Sequence, residues 1–156
     1  HHMLPMIDRE WISHVKNVFL IRNPREMLTS LVHQIPNPTL KETGLPQQLT
    51  LFTELQQQGV SSIVIDSKNI LQNPESSLSV LCKELGVPFL EQMLQWPAGK
   101  RDSDGVWAPH WYTSVESSTG FALWSPKEEH VPPTLESLCL ECEDIYNELA
   151  SHNMIV

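Results

Sequence analysis

The chain has 156 residues, 40% of them hydrophobic, with 10 Lys and Arg against 19 Asp and Glu for a net charge of −9. That is the size of one ordinary domain with a real core, residues 1–156, and its acidity argues against a nucleic-acid backbone as partner while leaving a small anion in a locally basic pocket open. No apolar run approaches the ~18 residues of a membrane span, so no membrane contact is expected. The opening HHMLPMIDREW lacks a basic stretch followed by a long apolar one, and three cysteines without disulfide-framework spacing predict a reducing, cytoplasmic setting. The first His-His-Met reads equally as a tag remnant or as native sequence.

In chain order, MIDREWISHVKN (6–17) predicts a short helix with Asp8 as N-cap and Trp11, Ile12 and Val15 on one face. NVFLIR (17–22) is an apolar run with polar bounds, which predicts a strand buried on both faces. Asn23 then caps a helix with Pro24 in its first position and Glu26 three residues after the cap. Met27, Leu28 and Leu31 form its apolar side, and it stops before the Pro-rich loop QIPNPTLKETGLP. QQLTLFTELQQQG (47–59) is a second amphipathic helix, with Leu49, Phe52 and Leu55 on one face and Gly59 at its end. VSSIVIDS supplies a second β-branched strand over 60–66. NPESSLSVLCKELGVPF is a third helix striped by Leu78, Leu81, Cys82 and Leu85 and stopped at Gly86, and LEQMLQW adds a turn. Residues 97–126 read as an aromatic-rich loop region, and 133–151 as a closing helix with Leu135, Leu138, Cys142, Ile145 and Leu149 on one face.

Strands alternating with helices predict an α/β fold, a parallel sheet with flanking helices. The long connection between the two strands suits a right-handed crossover. Two strands alone do not make a self-sufficient core. The residues therefore read as the C-terminal part of such a domain, with further strands expected from upstream. The exposed sheet edge predicts association, either as a homodimer or with a complementing N-terminal segment.

One junction carries chemistry. Arg22 ends the first strand, where ligands gather in open α/β sheets beside helix N-termini, and its guanidinium offers a rigid fork to phosphate oxygens. Ser30 follows eight residues later on the capped helix. The bland alternative is Arg22 paired with a nearby carboxylate and Ser30 as surface filler. Arg22-Asn23-Pro24, then Ser30, after a strand resembles the 3′-phosphate motif of the PAPS-dependent sulfotransferases, which have a P-loop NTPase type of fold. Two later stretches share the likeness: IVIDSKNILQNPESSLSVLCKELGVPF (63–89), and, loosely, GKRDSDGVWAPHW (99–111) with Lys100, Arg101, Gly105 and Trp107. The tail from LQWPAGK to SSTGF is most similar to sulfotransferase-like domains joined to, or named after, branched-chain aminotransferases.

The resemblance implies PAPS (3′-phosphoadenosine 5′-phosphosulfate) as donor co-substrate, its 3′-phosphate held by Arg22 and Ser30 and covered by Lys100 or Arg101. It implies transfer of a sulfuryl group to a hydroxyl or amine if the domain is complete. The chain departs from the family pattern in three ways. No G-x-x-x-x-G-K loop for the phosphosulfate occurs, and its lysine goes with it. The family's catalytic histidine lies upstream of the motif arginine, where only His1 and His2 fall near the spacing, so the catalytic residues stay unassigned. IVIDS also lacks the aromatic that meets the adenine. The rival reading is a non-catalytic, degenerate interaction domain packing on a partner domain or subunit, and a third is another nucleotide-binding P-loop relative such as a kinase.

Other motifs read as structural. Cys139-Leu140-Glu141-Cys142 lies inside an amphipathic helix rather than at the helix N-terminus that activates a redox thiol. Seven histidines lack metal-ligand spacing, so no metal is expected. His110 reads as packed among aromatics, and Trp96, Trp107, Trp111 and Trp124 either pin a loop-rich region or form a stacking platform.

Overall fold

A computed structural model of the chain describes residues 8–106, 108–126 and 130–154. The described residues divide into two compact units, one formed by those up to Lys68 together with those from Ser125 onward, the other by those within Asn69–Trp124.

The first unit is built on two parallel strands, β1 (Asn17–Ile21) and β2 (Ser62–Asp66), in register from Asn17 opposite Ser62 to Ile21 opposite Asp66. Helix α1 (Pro24–Leu31) starts where the sequence predicts. Asn23 accepts a hydrogen bond from the Arg25 N–H at 2.9 Å, and Pro24 occupies a first-turn position that has no use for an N–H. Helix α2 (Leu45–Gln57) begins two residues before the predicted start, because Pro46 falls in its first turn rather than in the loop. The 3₁₀ turn before it, Leu40–Thr43, ends on Gly44 at φ 76°, a left-handed conformation that favours glycine. The predicted helix over 6–17 is only a 3₁₀ turn, Glu10–His14, among the described residues.

The strands and helices close around Phe19, Ile21, Leu51, Phe52, Leu55, Val64 and Leu149, with the Phe19 and Phe52 rings edge to face at 5.6 Å. Each such side chain contributes about 1.5–3 kcal/mol by burial. A second cluster, Leu28, Val131, Leu135 and Cys139, lies where α1 meets the closing helix. The expectation that the first strand is covered on both faces needs correction. Phe19 and Ile21 point into the core, but Val18 and Leu20 on the other face are 40% and 54% exposed. An unbroken apolar run does not distinguish a strand that is covered twice from one whose second cover is absent.

After β2 come α3 (Ser67–Gln72) and α4 (Pro74–Leu85), and the unit boundary falls within α3. In the second unit, the buried Ser77 hydroxyl donates to the Asn69 carbonyl at 2.9 Å, and Gly86 at φ 75° ends α4. A 3₁₀ turn follows at Glu91–Met93, and an antiparallel bridge joins Gln95 to Gly120. Trp96 secures this bridge: its Nε1–H donates to the Ser118 hydroxyl at 2.9 Å, and its ring meets Phe121 edge to face at 5.3 Å. Within 97–126 the chain forms two one-turn helices, α5 (Ala108–Trp111) and α6 (Thr113–Glu116).

The closing helix α7 (Glu136–Ala150), preceded by a 3₁₀ turn at Pro133–Leu135, belongs to the first unit. Its inward stripe buries Cys139, Cys142 and Leu149 completely. Arg25 of α1 reaches across to α7, with Nη2 2.7 Å from Glu136 and Nε 2.8 Å from Glu143. Among the described residues no helix is long and apolar enough to cross a membrane.

Candidate functional site

At the carboxyl end of the sheet, β1 stops at Ile21 and the next residue is Arg22, while β2 stops at Asp66 directly opposite Ile21. Both strands thus deliver a charged side chain to the same rim. The two are treated differently. The Arg22 side chain is 39% exposed and pairs through Nε with the Glu26 carboxylate at 3.4 Å, a long contact one helical turn into α1. Asp66 is only 5% exposed, and its carboxylate accepts from the Lys68 backbone N–H at 2.8 Å and from the Tyr146 hydroxyl of α7.

Spacing explains how α1 presents its polar side. Glu26 and Ser30 are four residues apart and share one helix face, and Arg22 precedes Glu26 by the same interval. The two sequence-predicted phosphate ligands therefore bracket a carboxylate. Ser30 is exposed. Arg22 meets Glu26 through Nε alone, so among the described residues its two Nη groups still offer a fork to an anion. The Arg22 fork suits a phosphate group by its chemistry, with Glu26 as the partner an anion would displace. Glu26, already on Arg22, carries a charge of the wrong sign for an anion arriving at that guanidinium.

Tyr146 was not legible as part of this rim. Burial, first of all, holds its hydroxyl above the ordinary tyrosine range; the hydrogen bond to Asp66 and the charges of Asp66 and Glu26 add to the shift. The sequence did carry a signal. Tyr146 lies four residues after the inward-facing Cys142, so a polar-tipped ring on the buried stripe needed an acceptor, and a strand ending in a carboxylate supplies one.

Lys100 and Arg101 lie in the second unit, both exposed, in the loop that follows Gly99. The Arg101 backbone N–H donates to the Asp104 carboxylate at 2.9 Å. His1, His2 and Trp107 lie outside the described residues. The CxxC cysteines are interior groups: burial pushes Cys139 up to about 11 and raises Cys142, the reverse of an activated thiol. Among the described residues no group of three His, Cys, Asp or Glu is arranged to hold a metal ion.

Comparison with known proteins gives a consistent result. A family model described as a sulfotransferase domain matches residues 1–136. Two relatives from Arabidopsis thaliana align over 94% of the chain: branched-chain-amino-acid aminotransferase-like protein 1, 39% identical, and branched-chain-amino-acid aminotransferase-like protein 2, 35% identical. The chain spans 26% of the length of each. No solved structure matches.

Proposed function

The chain belongs to the sulfotransferase-domain family, and on that premise we propose that it binds a 3′-phosphoadenosine nucleotide, with Arg22 and Ser30 holding the 3′-phosphate. The observation that carries this reading is the position of Arg22. It follows the last residue of a strand, its Nη groups carry no partner among the described residues, and a capped helix bearing Ser30 begins immediately after it. Arg22 would donate two parallel hydrogen bonds to phosphate oxygens, and Ser30 would add a hydroxyl donor. Lys100 and Arg101 are proposed as the cations that cover the same phosphate, on the family resemblance alone. PAPS, when bound, supplies the sulfuryl group for transfer to a hydroxyl or amine, and the work of these residues is to bind and orient it. Three free, buried cysteines accord with a reducing, cytoplasmic setting.

Titration calorimetry against adenosine 3′,5′-bisphosphate and against 5′-AMP tests the proposal. The bisphosphate is expected to bind more tightly, and Arg22→Ala to weaken it by about 1.5–3 kcal/mol, roughly 10- to 150-fold. Equal affinities, or none, would remove the 3′-phosphate assignment.

A second reading, a non-catalytic module that packs on a partner, is favoured by a different observation: the exposed apolar face of β1 at Val18 and Leu20.

A further inference from the structure

We propose that Lys68 is a second cation of the phosphate site at the end of the sheet, and that Asn153 positions it by holding Asp66. This rests on the nucleotide reading above and adds to that site a ligand outside the Arg22–Ser30 motif.

The need for another cation follows from charge. A phosphate monoester carries about −1.5 to −2 at pH 7. Arg22 brings one positive charge and already shares it with Glu26 at 3.4 Å, while Ser30 brings none. The other cations described in the first unit are engaged or stand elsewhere. Arg9 pairs with Glu54, and Arg25 is turned onto Glu136 and Glu143. Lys16 precedes β1 at the opposite end of the sheet, and Lys41 lies in the 3₁₀ turn ahead of α2. Among the described residues, Lys68 alone joins Arg22 in the turn that leaves the carboxyl end of a strand.

The register brings these two together. The strands are parallel and Ile21 lies opposite Asp66, so Arg22 and Lys68 stand one and two residues past a paired position. Neighbouring strands are about 4.8 Å apart, a gap that a lysine's flexible four-carbon stem spans. Lys68 is exposed, so its ammonium is open to an arriving anion.

Its backbone is fixed from the other side. The Lys68 N–H donates to Asp66 Oδ1 at 2.8 Å, the Tyr146 hydroxyl donates to Asp66 Oδ2, and the Asp66 N–H donates to Asn153 Oδ1 at 3.0 Å. All four residues belong to the first unit. Tyr146 and Asn153 lie beyond residue 136, where the match to the sulfotransferase-domain model ends, so the C-terminal segment builds the mount of Lys68. With the backbone held, only the side chain has to be ordered on binding, which lowers the entropic cost of the contact.

Titration calorimetry of the 156-residue chain and its variants, with adenosine 3′,5′-bisphosphate and with 5′-AMP, tests this. Lys68→Gln is expected to weaken the bisphosphate about tenfold and 5′-AMP roughly twofold or less, with its thermal midpoint unchanged, and Lys68→Arg to retain most of the affinity. Asn153→Ala is expected to weaken the bisphosphate several-fold in the wild-type background and to add nothing in the Lys68→Gln background, because its effect passes through Lys68. A Lys68→Gln variant that binds both ligands like the wild type, or that loses both alike, overturns the Lys68 assignment while the Arg22 reading stands. An Asn153→Ala effect that adds fully to that of Lys68→Gln overturns the positioning role. A wild-type chain that does not prefer the bisphosphate to 5′-AMP removes the nucleotide reading and this inference with it.

Discussion

Glu26 sits between the two residues proposed to hold a phosphate, and its charge has the wrong sign for that task. Its contact with Arg22 at 3.4 Å is long and partly exposed, the kind of pair worth well under 1 kcal/mol in its own right. An incoming phosphate can therefore replace it at small cost, but the carboxylate remains close by and repels the ligand. Glu26→Gln is expected to tighten adenosine 3′,5′-bisphosphate binding several-fold, with 5′-AMP affected less; weaker binding would mean that Glu26 orients Arg22 rather than opposing the ligand. Tyr146 and Asp66 make a separate, structural pair on the same rim. Tyr146→Phe leaves a buried carboxylate with one fewer donor and is expected to cost about 1.5–3 kcal/mol of stability. Its pH signature follows from the raised folded-state value. The folded protein holds the phenolic proton more tightly than the unfolded chain, so this contribution is complete below the ordinary tyrosine value of 10.0 and falls as pH rises through and beyond it. The raised Cys139 and Cys142 act in the same sense, beginning from 9.0. Denaturant unfolding between pH 8 and 11 should show stability declining with pH, less steeply in Tyr146→Phe.

At the scale of elements, α7 holds the first unit together, and two kinds of contact compete for the credit. Arg25 links α1 to Glu136 and Glu143 with short distances, and that cluster holds the guanidinium protonated far beyond any working pH. The cluster is solvated, however, and exposed ion pairs contribute little. Leu149 is completely buried against Phe19, Phe52 and Val64, and Leu149→Ala is expected to cost about 2–5 kcal/mol. Arg25→Ala should shift the denaturation midpoint far less, and the reverse order would show that the ion cluster docks α7. Much of this was legible because its causes are local. Asn23-Pro24 fixes the start of α1, Gly86 the end of α4, and Cys142 and Leu149 the inward side of α7, where Cys139 rather than the expected Leu138 completes the buried stripe. What escaped depends on distant neighbours. The Val18 and Leu20 face, the shortening of the first helix to a 3₁₀ turn, and the Asp66–Tyr146 bond are set by what packs nearby in space rather than by adjacent residues. The candidate site divides the same way: the spacing of Arg22 and Ser30 is a sequence feature, and a carboxylate beside Arg22 was the alternative reading of the same residues, but which carboxylate it is, Glu26, appears only with the ion pair in view.

For the molecule as a whole, the question is whether binding implies turnover. A net charge of −9 means that the global field opposes a polyanionic nucleotide, so affinity must come from a few close cations. Sulfuryl transfer demands more than affinity: the reacting group has to be positioned and its developing charge stabilised by donors aimed at it. The proposed ligands Arg22 and Ser30 address the 3′-phosphate, at the far side of the adenosine from the sulfuryl group. No G-x-x-x-x-G-K loop occurs in the 156 residues to address the phosphosulfate end. Removing a single well-placed transition-state donor costs about 10²–10³ in rate, and here a loop of donors and its lysine are lacking together. The 156 residues by themselves are therefore expected to bind PAPS without transferring its sulfuryl group. Incubation with ³⁵S-labelled PAPS and a panel of phenols, alcohols and amines should leave the label on the donor, even where calorimetry detects binding. Label appearing on any acceptor above the rate without protein, and lost in Arg22→Ala, would mean that the transferring residues lie within this chain and that the 3′-phosphate cradle belongs to a working active site.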